Sequence, residues 1–598
     1  MVYIHIMKNY FILISCLSFL SLAMATHPNV ILVITDDQGY GDLACHGNEI
    51  IKTPSLDKLH SESLRFTDFH VSSTCAPTRG ALMSGHWTNR AGPWHTIMGR
   101  SMLFQGEKTL AEVFGENGYA SGHFGKWHLG DNYPYRPEDR GFDEVVRHGG
   151  GGVGQTPDYW NNSYFDDTYF HNGVPRKYKG YCTDIFFNEA KSFMKAQSEL
   201  GKPFFTYIST NAPHSPMVCD EKYWKHYTQA PYNLPVKEAI FYGMIENIDE
   251  NVGSLRQWLV ETGLDENTIF IFMTDNGSAH GSKIFNAGMR GAKASSYDGG
   301  HRVPFFVKLP KSTQAADIEQ LSAHVDVLPT LVDLCGLKPI ESDYKLDGIN
   351  LTPWIKDINT PQNINRVVIT DTQRVVDPVK WKDATVMTKQ WRLITNGDKR
   401  ELYDILADPG QLNDIATVHP QVVKQLEQNY EDWWQDISPA LAKTSRIPVG
   451  VPHIEIVDLT AHDVIPPKGA PAWNQSQVRK GRFVNGIWAL DIMQAGEYEI
   501  KVSRWPIESG LKMREGTSKG KETPGLGSYA EVEGIALDIA KVSIDIAENK
   551  QLVAIDEQTK FATFKVLLPQ GEFDLSANFI LDNGKEIGVG YAYVKKID

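Results

Sequence analysis

Three stretches of the chain are apolar almost without interruption: Asn29 to Thr35 (NVILVIT), Phe204 to Thr210 (FFTYIST) and Thr268 to Thr274 (TIFIFMT). Continuous β-branched runs of this length are what strands buried on both faces of a parallel sheet require. Between them apolar residues recur at helical spacing, over Leu110 to Asn117, Asp184 to Gln197 and Lys237 to Thr262. Strands alternating with helices predict an α/β layered fold. After Arg366 the pattern shifts to short extended pieces, Val367 to Thr370 and Trp391 to Thr395, then a helix near Gln421 to Trp434, so a small α+β subdomain is expected there. Ile447 to Pro452, with its prolines and glycine, reads as a linker. Beyond it, Gly496 to Ser503 (GEYEIKVS), Lys541 to Ile546 and Ala562 to Leu568 are short alternating strands. They predict a β-sandwich of roughly 150 residues.

The three apolar runs lead into Asp36-Asp37, Asn211-Ala212-Pro213-His214 and Asp275-Asn276-Gly277. Carboxyl ends of strands in such sheets converge on one crevice, so these polar clusters should meet. Asp36, Asp37, Asp275 and Asn276 offer hard oxygen donors, which suit Ca²⁺ or Mg²⁺ better than Zn²⁺. Singly, Asp-Asp is a common helix cap and Asp-Asn-Gly a common turn; the metal assignment rests on their convergence. Cys75 opens a short helical stretch, Cys75-Ala76-Pro77-Thr78-Arg79-Gly80. A lone cysteine is ordinarily a small buried hydrophobe. Here the helix N-terminus favours negative charge, and Arg79, about one turn on, can hydrogen-bond an oxygen species placed at residue 75.

With 41% hydrophobic and 22% charged residues in 598, the composition is that of a globular protein. The net charge of −14 comes without clustered basic residues, which excludes general binding to nucleic acid or anionic membranes. An anionic substrate would need a local cationic pocket. Lys8, the apolar run Tyr10 to Leu22 and Ala23-Met24-Ala25 predict a cleaved leader over residues 1–25, hence export to periplasm or medium. Leu13-Ile14-Ser15-Cys16 is the alternative, a lipoprotein box that would leave a lipid anchor on Cys16. No later run reaches the ~20 apolar residues of a membrane span. The six cysteines (16, 45, 75, 182, 219 and 335) are too few and scattered for a disulfide framework, although one or two bridges would fit an oxidising compartment.

The segment CAPTRGALMSG resembles the signature of the type I sulfatases, in the alkaline-phosphatase-like superfamily. In that family the cysteine of Cys-x-Pro-x-Arg is converted to formylglycine (3-oxoalanine) by a maturation enzyme. TDDQGYGDL from Thr35, GKWHLG from Gly125, NAPHSP from Asn211, TDNG from Thr274 and RGAKASSYDGGHRVP from Arg290 resemble family blocks in family order, and LYDILADPGQLNDIA from Leu402 resembles its C-terminal subdomain. The resemblance implies a large mixed central sheet flanked by helices over 26–345 and a small α+β subdomain over 346–446. The β-sandwich, 453–598, lies outside it. It also implies roles. Metal-bound, hydrated formylglycine 75 would be the nucleophile, activated with the help of Asp37. Lys126, Lys293 and the metal would neutralise the sulfate, His214 or Lys293 would protonate the departing oxygen, and His128 would take the proton whose loss releases sulfate. Chemistry agrees: a sulfate ester is an anion that repels nucleophiles, so catalysis needs positive charge on its oxygens and a nucleophile already in line.

The stretch His148 to Tyr181 is rich in Gly, Tyr, Trp and Phe. Tyr159 and Trp160 read as faces for a sugar, with core packing as the alternative. Trp94, His95 and Arg100 follow the nucleophile helix and are expected to line the same pocket. Export, sandwich and aromatic loops favour a sulfated polysaccharide or oligosaccharide, such as algal ulvan, with the sandwich either binding polysaccharide or bracing the catalytic domain. Two rivals stand: a phosphoester hydrolase of the same superfamily, which would typically carry Ser or Thr at the nucleophile, and a non-catalytic glycan-binding protein on a sulfatase scaffold.

Overall fold

Burial of the three apolar runs sets the centre of the molecule. The structure, a computed structural model, describes residues 27–338, 340, 344–520 and 532–598, so the leader and the lipoprotein box lie outside the described residues. In chain order the strands of the main sheet are β1 (Asn29–Thr35), β2 (Leu64–Phe66), β3 (Ala120–Gly125), β4 (Glu144–Arg147), β5 (Thr168–His171), β6 (Val174–Lys177), β7 (Phe204–Ser209), β8 (Thr268–Thr274), β9 (Phe305–Lys308) and β10 (Ala316–Ile318). Across the sheet they lie β10-β2-β9-β8-β1-β7-β3-β4-β5-β6. The central strands β8, β1, β7, β3 and β4 are parallel, while β9 and β5 run antiparallel beside them.

Every residue of β1, β7 and β8 is buried, because both faces of the sheet are covered. Helices α1 (Cys75–Ser84) and α2 (Leu110–Glu116) belong to one layer, and α3 (Cys182–Glu199) and α4 (Val236–Thr262) to the other. Side chains alternate along a strand. Val30, Leu32 and Ile34 therefore join Leu82 and Leu110 in one core, while Ile31 and Val33 join Phe186 and Ile245 in the other. Thr35 lies opposite Thr274, and Ile34 opposite Ser209. The strands finish level, so the loops that leave them emerge side by side.

A second, antiparallel sheet is formed by β11 (Val368–Asp371), β12 (Ala384–Met387), β13 (Trp391–Asn396) and β14 (Lys399–Asp404), with α5 (Pro420–Leu441) packed on it. Arg392 of β13 is buried, and its guanidinium reaches Asp298 (3.1 Å) and Asp68 (2.7 Å) of the main unit. A buried charge left without such partners would be strongly destabilising, so this pairing pins the subdomain in place.

The C-terminal region holds two sheets around one core. Its strands are β15 (Ile447–Val449), β16 (Val457–Thr460), β17 (Ile487–Ile492), β18 (Gly496–Ser503), β19 (Ile539–Ile546), β20 (Asn549–Ala554), β21 (Ala562–Leu568), β22 (Gly571–Leu581), β23 (Glu586–Gly588) and β24 (Tyr591–Lys596). One sheet runs β15-β17-β22-β19-β20 with β23 on β22, the other β16-β24-β18-β21. The stretch expected as a linker is thus partly an edge strand: Ile447 and Val449 are buried and β15 pairs with β17. Pro448 concealed it, yet at a sheet edge a missing N–H is tolerated.

Trp160, expected to offer a face to sugar, is corrected by its surroundings. Its ring lies 5.4 Å from Trp505 and under the Arg479 guanidinium (4.6 Å), and it belongs to the core of the sandwich together with Met102 and Tyr135. Aromatic burial with a cation over the face is packing, worth about 1.5–3 kcal/mol for a large side chain. The five described cysteines are all free, and among the described residues no helix is long and apolar enough to cross a membrane.

Candidate active site

The level strand ends bring their polar residues into one crevice. The backbone N–H of Asp275 donates to Thr35 O (3.0 Å), that of Asp36 to Ala212 O (3.3 Å), and that of Asp37 to Asp275 Oδ1 (3.1 Å). Asp37 is held in the left-handed region at φ 69° and His128 at φ 64°, conformations that side-chain-bearing residues adopt where the surrounding structure imposes them. Into the crevice α1 delivers Cys75 at its first position, with all ten helix residues buried. The helix stops at Gly85 (φ 69°), where a Cβ would stand 2.7 Å from Leu346. One ligand atom each from Asp36, Asp37, Cys75 and Asp275 lies within 4.8 Å of the others.

Three cations surround this cluster. Lys126 Nζ donates to Asp36 Oδ2 (2.6 Å), with both side chains fully buried. Lys293 Nζ donates to Asp37 Oδ1 and lies 3.3 Å from Cys75 Sγ. Arg79 is the third. Its Nε and Nη2 donate to Asp275 Oδ2 (3.1 and 2.7 Å), and Nη1 donates to Lys126 O (3.3 Å) and Ser209 Oγ. The guanidinium fixes the ends of three strands and orients Asp275.

The donor set fits a divalent cation of the hard kind. Burial, with Asp275 and Asp37 alongside, outweighs Lys126 and pushes Asp36 up to about 8, the response of a carboxylate taken out of water beside two others. Asn276 donates through Nδ2 to Asp37 Oδ1 (3.0 Å), and its Oδ1 is buried with no partner. Buried polar atoms are nearly always satisfied, and turning this amide over would add a fourth oxygen toward the carboxylates. Against burial, Lys293 holds Asp37 well below the usual carboxylate range. Burial and Asp36 push the Cys75 thiol up to about 12, so at neutral pH it is no thiolate nucleophile.

His214 Nε2 stands 3.9 Å from Asp37 Oδ2, and its Nδ1 is 2.6 Å from Ser215 O. Burial lowers it to about 3 despite Asp37. His128 Nε2 is 2.8 Å from Thr96 O, while Nδ1 is buried without a partner; burial, then Lys126 and His462, keep the ring neutral. Two glycines of the run Gly149 to Gly152 seat these rings. A Cβ on Gly151 would fall 2.1 Å from the His128 ring, and one on Gly152 would fall 3.3 Å from both His214 Nδ1 and Asn211 Oδ1. Gly151→Ala should therefore displace His128 and lower turnover by roughly ten- to a hundredfold, with thermal stability changed by less than about 2 kcal/mol. Steady-state kinetics beside a melting curve checks this, and unchanged turnover would show that the histidine is not needed.

Trp94, His95 and Arg100 lie on one buried loop beside α1. Trp94 Nε1 donates to Val375 O (3.2 Å), Arg100 Nε donates to Val376 O (2.9 Å), and the Arg100 guanidinium covers the Trp94 ring at 5.3 Å. Trp94 and Arg100 thus hold the 375–376 segment, and burial, with Arg374 adding to it, lowers His95 to about 3. Tyr159 is half-buried, its carbonyl accepting from Gln475 Nε2 of the sandwich (3.2 Å). Sequence reasoning placed Asn211 at the crevice but missed Ser209, the two glycines and the sandwich residues near the histidines, for none of these carries a local signal.

The sequence matches the family described as Sulfatase over residues 28–337 and the region described as N-sulphoglucosamine sulphohydrolase, C-terminal, over residues 292–436. It is 30% identical to human arylsulfatase A, covering 56% of this chain and 69% of that protein. It is 29% identical to N-acetylgalactosamine-6-sulfatase of Mus musculus, covering 57% and 69%. A solved structure, Ps i-CgsB in complex with k-i-k-neocarrahexaose, superposes with a TM-score of 0.62 at 26% identity, covering 68% of this chain and 92% of that one.

Proposed function

The chain belongs to the sulfatase family, and from that premise we propose that it hydrolyses sulfate esters of a carbohydrate, acting outside the cytoplasm after Cys75 has been converted to formylglycine by a maturation enzyme. The observation that carries the proposal is the buried cluster of Asp36, Asp37, Asp275 and residue 75 within 4.8 Å, ringed by cations. A carbohydrate substrate is supported by the relative named N-acetylgalactosamine-6-sulfatase and by the neighbour solved in complex with k-i-k-neocarrahexaose.

Asp36, Asp37, Asp275 and Asn276, with residue 75, would hold a Ca²⁺ or Mg²⁺ ion. Together the cation and hydrated formylglycine supply an oxygen nucleophile and positive charge on the sulfate. Lys126 and Lys293 add fixed charge where the ester oxygens must sit, inside a dry pocket where such charge acts strongly. Arg79 keeps Asp275 in place. Lys293, or His214 once the negative charge of a bound ester raises it and protonates its ring, gives a proton to the departing alcohol oxygen, and His128, held neutral, takes one through its free Nδ1.

Matched p-nitrophenyl sulfate and phosphate test the reaction class. The matured enzyme should prefer the sulfate by about 10³-fold or more in kcat/KM; a preference for phosphate would overturn the assignment. In the same sample, the peptide containing Cys75 should be about 18 Da lighter than its thiol form.

A further inference from the structure

Where the sandwich meets the catalytic unit, a cleft of about 220 Å³ opens beside His214. Gln155, His214 and Ser215 line it from one side, and Trp473, Asn474 and Ser476 from the sandwich line the other. The wall between them is fixed by hydrogen bonds. Thr156 N–H donates to Trp473 O (3.0 Å), Gln475 N–H donates to Gly154 O (2.9 Å), and the buried Gln475 amide donates to the carbonyls of Gln155, Asp158 and Tyr159 (3.2, 3.1 and 3.2 Å). The sandwich reaches the site at a second point. Met98 N–H donates to His462 O (2.9 Å), and the buried His462 ring stands 6.0 Å from that of His128 with Nε2 unpartnered.

The lining has a chemical character. Trp473 is half-buried and lines the cleft together with Gln155, Asn474, Ser215, Ser476 and His214, and no Asp, Glu, Lys or Arg takes part among the described residues. An aromatic face among neutral hydrogen-bonding groups suits a hydroxylated ring. A sulfate or carboxylate there would lose water and meet no counter-charge. The volume is below the roughly 300–1,000 Å³ that engulfs a drug-sized ligand, which points to a single ring.

We propose that this cleft is the subsite for an uncharged sugar ring next to the one that carries the scissile sulfate, with Trp473 as its stacking face. The inference rests on the reading of the protein as a carbohydrate sulfatase. It makes the β-sandwich a part of substrate recognition.

The test uses the full-length, matured enzyme with Trp473→Ala and Trp473→Phe. The probes are p-nitrophenyl sulfate, N-acetylgalactosamine 6-sulfate, and sulfated oligosaccharides from κ-carrageenan (neutral neighbours) and chondroitin 6-sulfate (uronate neighbours). Trp473→Ala should lower kcat/KM on neutral-neighbour oligosaccharides by roughly ten- to a hundredfold, mainly through KM, while p-nitrophenyl sulfate changes by less than about twofold and the melting temperature holds. Trp473→Phe should recover most of the loss. Equal losses on aryl and oligosaccharide esters, no loss on either, or a wild-type enzyme that cleaves p-nitrophenyl sulfate but none of the oligosaccharides would each overturn the subsite. Failure of the wild type on every ester would instead overturn the sulfatase activity on which the subsite depends.

Discussion

Cys75→Ala should yield a folded protein whose hydrolysis of any sulfate ester is at least about 10⁴-fold slower than wild type, a loss of more than about 5 kcal/mol of transition-state stabilisation. The side chain is 2% exposed, and its sulfur lies 3.4 Å from Asp36 Oδ1 and 3.3 Å from Lys293 Nζ. Removing one sulfur atom leaves a small void, which costs about 1 kcal/mol of stability, so activity and folding should separate cleanly. Circular dichroism and a melting curve beside the assay make the comparison. Residual turnover within tenfold of wild type would mean that the reacting atom belongs to another residue.

Asp275 carries the second large effect, because two requirements meet on one carboxylate. It accepts from Arg79 and from the Asp37 backbone, and it faces Asp36 and Cys75. Asp275→Ala would strand the buried Arg79 guanidinium and should cost about 3–5 kcal/mol of stability. Asp275→Asn keeps an acceptor for Arg79 and removes only the charge. Its expected phenotype is a metal content falling from about one ion per chain to a small fraction of that, with activity lost in parallel and partly regained in millimolar Ca²⁺. Elemental analysis of the purified variant decides it. A full complement of metal with wild-type turnover would remove Asp275 from the ligand set.

Much of this site could be read before any coordinates, and the reason is physical. β1 and β8 are buried on both faces, so their sequences are apolar throughout, and the first polar residue after each marks the crevice. Asp36, Asp37, Asp275 and Asn276 are legible as strand-end residues, and Cys75 as the start of a helix. What stayed hidden depends on partners distant in sequence. Trp160 has the composition of a sugar platform, and only Trp505 and Arg479 turn it into packing. Arg79 is one turn from Cys75, yet the side chains that claim it come from the ends of β7 and β8. The role of Gly151 is visible only once the His128 ring lies against it. Strand β15 was masked by the residue that also fits it to an edge, Pro448.

Met102, Tyr135 and Trp160 cross from the catalytic unit into the interior of the sandwich. A chain cut after residue 446 would present those three side chains to water as one greasy scar, together with the orphaned backbone around Gly154 and Gln155 that Gln475 now satisfies. Two lobes joined this way are expected to melt as one cooperative body, unlike carbohydrate-binding modules that can be lifted off and grafted elsewhere.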